Sequence, residues 1–122
     1  MVSWAQIRSQ ALTLRRFRSR YWKVRCTLRR LRRRLAEPDG VVAVNDLNAR
    51  IAGRTQEKNA VRVSCAEQRE FLRASLEAFD FGRGVILILR PEDMDALHYA
   101  EHYAPRPITI SYRIGNLASP HA

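Results

Sequence analysis

The N-terminal part of the chain repeats apolar residues at steps of three or four, which predicts one long amphipathic helix over residues 3–36. Ser3 is a suitable N-cap, and Pro38 with Asp39-Gly40 is expected to end the helix. The mean step is close to the coiled-coil repeat, so we predict that this apolar seam meets a partner helix or a second copy. Besides Ala11, the seam consists of Trp4, Ile7, Leu14, Phe17, Tyr21, Val24, Leu28, Leu31 and Leu35.

The length of this helix supports the same expectation. About 34 helical residues span roughly 50 Å, whereas the rest of the chain, if compact, has a radius of gyration of only about 12 Å. We therefore expect the seam to exceed what its own small domain can bury, so that the helix overhangs into a partner, bends back or pairs with a second copy.

The second half of the chain changes its pattern. Short apolar or alternating runs at 61–65, 85–89 and 108–114 predict strands, and the segments 66–80 and 91–104 predict helices. Gly82 and Gly84 mark a turn before the second strand. The expected fold class is α/β, with α+β as the alternative, in which the basic helix precedes a β-α-β-α-β unit with a three-stranded parallel sheet.

This interpretation divides the chain into four parts. Residues 1–37 are the basic helix, 38–60 a connecting segment, 61–114 a small α/β domain and 115–122 a tail. The connecting segment is expected to hold a short helix that ends at Gly53.

Charge is distributed very unevenly along the chain. Residues 1–36 contain eleven arginines and Lys23 but no acid, so this segment has a charge of +12. The remaining ten basic and twelve acidic residues give −2, for a net charge of +10. A basic segment beside a nearly neutral body indicates an anionic partner, because like charges along one helix repel each other until a polyanion binds.

These features predict a non-enzymatic protein that binds DNA or RNA through the phosphate backbone. Arginine suits this role because its guanidinium donates two hydrogen bonds to one phosphate. Trp22 lies off the seam and is a candidate for stacking on a base. The predicted nucleic-acid-binding residues are Arg15, Arg16, Arg18, Arg20, Trp22, Lys23, Arg25, Arg29, Arg30, Arg32, Arg33 and Arg34.

The same residues leave other partners open. In the alternative function the chain is an assembly or adaptor subunit or an inhibitor in a larger complex, for example in a virion or another nucleoprotein. Its seam would then dock on an acidic protein or a second copy. An anionic membrane surface and a mitochondrial transit peptide also suit an arginine-rich, acid-free segment.

Other chemistry has little support in the sequence. His98 and His102 share a helical face with Asp95 and could bind zinc, but no further ligand is evident unless Cys65 or Glu101 comes near, so we predict no metal and no cofactor. No nucleophile constellation indicates an enzyme. Cys26 and Cys65 match no metal-ligand spacing and are expected to be free thiols in an intracellular protein without a transmembrane segment.

Overall fold

A computed structural model describes residues 2–37, 44–79, 86–103 and 111–114. Three helices make up most of this part of the chain, with two four-residue strands. The elements in chain order are α1 (Trp4–Ala36), α2 (Val44–Ala78), β1 (Ile86–Leu89), α3 (Asp93–Tyr103) and β2 (Ser111–Ile114).

The N-terminal helix is present as predicted, and α1 contains 33 residues. Ser3 caps it through a reciprocal pair of hydrogen bonds: the Gln6 amide donates to Ser3 Oγ at 3.2 Å, and the Ser3 amide donates to Gln6 Oε1 at 2.8 Å. This is a capping box, which satisfies two amide groups that have no partner within the helix. The predicted helix end at Pro38 lies outside the described residues.

The strand predicted at 61–65 is wrong, because these residues lie inside the 35-residue helix α2. Val61 and Cys65 are buried, whereas Val63 between them is exposed, as the helical period requires and the strand period does not. In mid-helix, Ser64 donates its hydroxyl to the Ala60 carbonyl at 3.2 Å. Gly53 also lies within α2 and does not end a helix.

The predicted α/β fold class is therefore wrong, and the described part of the chain is mostly helical with one pair of short strands. A three-stranded sheet is not formed there, since the first of its strands is helix. Only β1 and β2 pair, in parallel, from Ile86 opposite Ser111 to Leu89 opposite Ile114. The Gly82 and Gly84 turn and the tail at 115–122 lie outside the described residues.

The chain divides into two compact units, and α1 and α2 each contribute residues to both. The first unit contains residues 1–15 and 68–122, and the second contains 16–67. The domain boundary predicted at 60/61 falls inside α2, within the second unit.

In the first unit, α1, α2 and α3 share a core. The Gln68 side-chain amide donates to the Gln10 carbonyl at 3.1 Å, which joins α2 to α1, and the Trp4 and Phe79 rings lie 5.9 Å apart between centroids. Phe71 of α2, by contrast, is 57% exposed. The buried residues of this core are Ile7, Ala11, Leu14, Leu72, Ser75, Leu76, Asp93, Ala96, Leu97, Tyr99 and Ala100.

In the second unit, α1 and α2 run antiparallel and bury their apolar faces. Arg20 contacts Glu57 at 3.7 Å, and residues further along α1 meet residues earlier in α2. The buried residues are Val24, Leu28 and Leu31 from α1 and Leu47, Val61 and Cys65 from α2.

The seam of α1 is thus buried largely by its own chain. Ile7, Leu14, Val24, Leu28 and Leu31 are all less than 9% exposed. The expectation that the seam exceeds what its own small domain can bury is wrong, because α2 is a helix as long as α1 and not a short connection followed by a strand. Association with a partner or a second copy stays a prediction.

Candidate functional site

A basic groove lies in the second unit and has a volume of about 400 Å³. Four arginines of α1 and one lysine of α2 supply its charge, and two apolar side chains complete its lining. The basic groove consists of Arg25, Leu28, Arg29, Arg32, Arg33, Ala36 and Lys58.

The helical period brings these residues together. Arg25, Arg29, Arg32 and Arg33 follow one another at steps of four, three and one, so that they share a face of α1. Leu28 lies beside them and is only 1% exposed, which holds this face against α2. Because α2 packs against α1 within this unit, Lys58 reaches the same groove.

Among the described residues that line the basic groove, none carries a carboxylate. Among the residues that the structure describes, none of its five cations forms an ion pair with an acid, and Glu57, the nearest acid of α2 in sequence, contacts Arg20 and Arg54 instead. Arg29 lies three or four positions from Arg25, Arg32 and Arg33, and each such like-charge pair costs about 0.2–0.5 kcal/mol. The groove therefore concentrates positive charge that a bound anion would stabilise.

A second groove in the same unit shows a contrasting arrangement. Its volume is about 510 Å³, and it includes Thr27 and Leu31 of α1 and Arg50, Gly53, Arg54 and Glu57 of α2. Its two arginines are neutralised by the chain: Arg54 contacts Glu57 at 2.7 Å and Arg50 contacts Asp46 at 3.2 Å. An anion would have to displace these carboxylates, so we do not assign a site there.

Of the predicted nucleic-acid-binding residues, Arg25, Arg29, Arg32 and Arg33 line the basic groove, and the others lie outside its lining. Arg15 contacts Asp95 at 3.0 Å and Arg20 contacts Glu57 at 3.7 Å, although both arginines are more than 60% exposed. Arg18 also has an interaction within the chain. Arg16, Lys23, Arg30 and Arg34 are also exposed and lie outside the lining of the basic groove.

Trp22 is 58% exposed on α1 of the second unit. The Arg25 guanidinium carbon lies 5.8 Å from the Trp22 ring centroid and 5.9 Å from that of Tyr21, which is the geometry of cation–π contacts. Arg25 also lines the basic groove, so one side chain contacts the exposed indole and lines the groove.

Sequence reasoning missed two features of the charge distribution. The sequence pattern predicts that Lys58 belongs to a connecting segment. Its position three residues before Val61 nevertheless puts it on the face of α2 that packs against α1. Arg8 contacts the fully buried Asp93 at 3.2 Å, and the Trp4 indole and the Arg90 amide donate to the same carboxylate at 3.2 and 2.8 Å. The sequence signal for such buried or partly buried charges is a charged residue at a position that the helical period assigns to the packed face of the helix.

The third helix does not assemble a metal site in the described part of the chain. The His98 and His102 rings lie 4.8 Å apart, but no group of three or more His, Cys, Asp or Glu side chains suitable for a metal ion occurs among these residues. Cys26 and Cys65 are not joined in a disulfide, and Cys65 is buried.

Comparison of the chain with protein-family models, curated proteins and solved structures finds no match. Among the helices that the structure describes, none has the length and apolar composition needed to cross a bilayer. Any functional assignment therefore rests on the chemistry of the site.

Proposed function

We propose that this chain is a non-enzymatic nucleic-acid-binding protein that holds the phosphate backbone in the basic groove. The observation that supports the proposal most directly is that five cations line one groove without a carboxylate among them. Phosphate is the matching ligand, because guanidinium groups bind its oxygens in a bidentate way and Lys58 adds a point charge.

Binding along a polyanion also accounts for the other exposed cations of α1. Arg16, Lys23, Arg30 and Arg34 extend the positive surface beyond the basic groove. A small anion would use only part of this surface, whereas a chain of phosphates would neutralise more of it and release counterions from the nucleic acid.

The first test is the salt dependence of binding to random-sequence DNA and RNA. If about five cations contact phosphates, the slope of log K against log salt concentration is about −4.5 for duplex DNA. Fluorescence anisotropy with labelled oligonucleotides between 50 and 200 mM salt, a range over which this slope predicts a roughly 500-fold loss of affinity, measures it directly. A flat salt response would contradict the proposal.

The second test assigns binding to the basic groove. A triple variant, Arg29→Gln, Arg32→Gln and Arg33→Gln, removes three groove cations and is expected to reduce the magnitude of the duplex slope by about 2–3. The glutamines retain helix propensity close to that of arginine, so α1 should persist.

The matched control changes the same charge outside the groove. Arg16→Gln, Arg30→Gln and Arg34→Gln lie on α1, are exposed and do not line the groove. We expect a smaller loss of affinity from this control than from the groove variant. An equal loss would show that charge along the whole helix, and not the groove, binds the polyanion. Stronger binding to polyglutamate than to nucleic acid at equal charge would favour an acidic protein as the partner.

A further inference from the structure

An exposed tryptophan accompanies the basic groove on the same helix. Trp22 precedes Arg25 by three positions and Arg29 by seven, so the three side chains lie along one face of α1. Large aromatic side chains are usually buried, yet Trp22 is 58% exposed while Val24 and Leu28 of the same unit are buried. The second unit thus places a wide aromatic surface in solvent beside its cations.

The contact with Arg25 links this aromatic surface to the anion site. The guanidinium carbon of Arg25 lies 5.8 Å from the Trp22 ring centroid, and Arg25 also lines the basic groove. Trp22 and Arg29 are seven residues apart, which corresponds to about 10 Å along the helix axis. A ligand of a few nucleotides spans this distance and offers both a ring to stack on the indole and phosphates for the arginines.

Duplex and single-stranded nucleic acids differ in what they present to such a surface. In a duplex the bases are stacked on each other, so their faces are not available to a protein side chain without disruption of the helix. In a single strand the base faces are accessible, and proteins that bind single strands combine a positive groove with aromatic side chains on which bases stack.

We propose that the basic groove together with Trp22 binds single-stranded nucleic acid, with an unpaired base stacked on the indole and the neighbouring phosphates bound by Arg29, Arg32 and Arg33. This inference rests on the proposed function and specifies its ligand. Stacking on an aromatic ring tolerates any base, so binding has little sequence preference.

The experiment compares a twelve-nucleotide oligo(dT) with a twelve-base-pair duplex, using the full-length chain. We expect tighter binding to the single strand. Trp22→Ala lowers oligo(dT) affinity roughly 5- to 100-fold and leaves duplex affinity unchanged. Trp22→Phe retains most of the affinity, because phenylalanine still offers a ring. The salt slope of Trp22→Ala stays equal to that of the original chain, since no charge is removed.

Phe71→Ala is the matched control, since Phe71 is 57% exposed but lies outside the lining of the basic groove. We expect this variant to bind oligo(dT) like the original chain.

The two proposals fail in different ways. If binding stays salt-dependent but Trp22→Ala binds oligo(dT) as tightly as the original chain, or loses duplex affinity to the same extent, the single-strand inference is overturned and the proposed function remains. If neither oligonucleotide binds with a salt-dependent affinity, both are overturned.

Discussion

The arginines of α1 have different surroundings in the two units. In the first unit, Arg8 and Arg15 contact Asp93 and Asp95 of α3. In the second unit, the arginines of the basic groove have no acidic partner among the described residues. One helix without a single acid of its own therefore contains both neutralised and available cations. Net charge along a sequence does not locate a binding site, because the neighbouring elements decide which charges remain available.

The neutralised cations also serve a structural purpose. Asp93 is fully buried and accepts hydrogen bonds from Trp4, Arg8 and Arg90. This carboxylate joins the start of α1, the residue after β1 and the first turn of α3. In the first unit, the contacts of arginines with Asp93 and Asp95 stabilise the packing of α1 and α3. In the second unit, repulsion between the exposed cations lowers stability.

The largest expected effect on the free energy of unfolding follows from replacing the buried Asp93. Asp93→Ala leaves Arg8 without its partner and two further donors without their acceptor, which should lower the free energy of unfolding by about 3 kcal/mol. Chemical denaturation followed by circular dichroism measures this change. Asp93→Asn keeps an acceptor oxygen and should cost less. If Asp93→Ala unfolds with the same free energy as the original chain, the contact between Arg8 and Asp93 does not stabilise the first unit.

The second-largest effect is an increase in the free energy of unfolding, caused by a substitution in the second unit. Arg29→Gln removes three like-charge pairs, with Arg25, Arg32 and Arg33, so the free energy of unfolding should rise by roughly 0.6–1.5 kcal/mol at low salt. At about 1 M salt the Debye length is near 3 Å and the gain should largely disappear. Thermal unfolding of both chains at the two salt concentrations tests this, and a salt-independent change would mean that repulsion is not its cause.

The smallest effect concerns the exposed pair of the first unit. Arg15 and Asp95 contact each other at 3.0 Å, but the Arg15 side chain is 66% exposed, so their coupling should be about 0–1 kcal/mol. A double-mutant cycle with Arg15→Gln and Asp95→Asn, measured by denaturation, gives this coupling. A value well above that range would show that exposed pairs also hold this unit together.

The sequence predicted α1 and both ends of α2, but it missed the continuous helix from Gly53 to Cys65 for a definite reason. The apolar stripe of α1 is uninterrupted over 33 residues, so the helical period is unambiguous. The corresponding stripe of α2 includes the polar residues Thr55 and Lys58, and Gly53 lies within the helix, so the helical period is hidden. From residue 61 to residue 65, apolar and polar residues then alternate, which is the pattern of a half-buried strand. Only the packing of α2 against α1 decides between the two patterns.

The candidate site was predictable only in part. The cluster from Arg25 to Arg34 is evident from the sequence, and most of the basic groove comes from it. The sequence does not indicate that Arg15 and Arg20 meet acids distant in the chain, or that Lys58 joins the groove. These outcomes depend on tertiary neighbours, which composition and spacing do not specify.

The antiparallel packing of α1 and α2 in the second unit has a consequence for recognition. A peptide with the sequence of residues 16–36 would keep every arginine of the groove but would lose Lys58, and Val24, Leu28 and Leu31 would be left in water. Without that burial, mutual repulsion would favour unwinding of the isolated segment. The basic groove thus depends on the packing of α1 against α2 and is not a linear motif, so its presence in another protein cannot be inferred from arginine content alone.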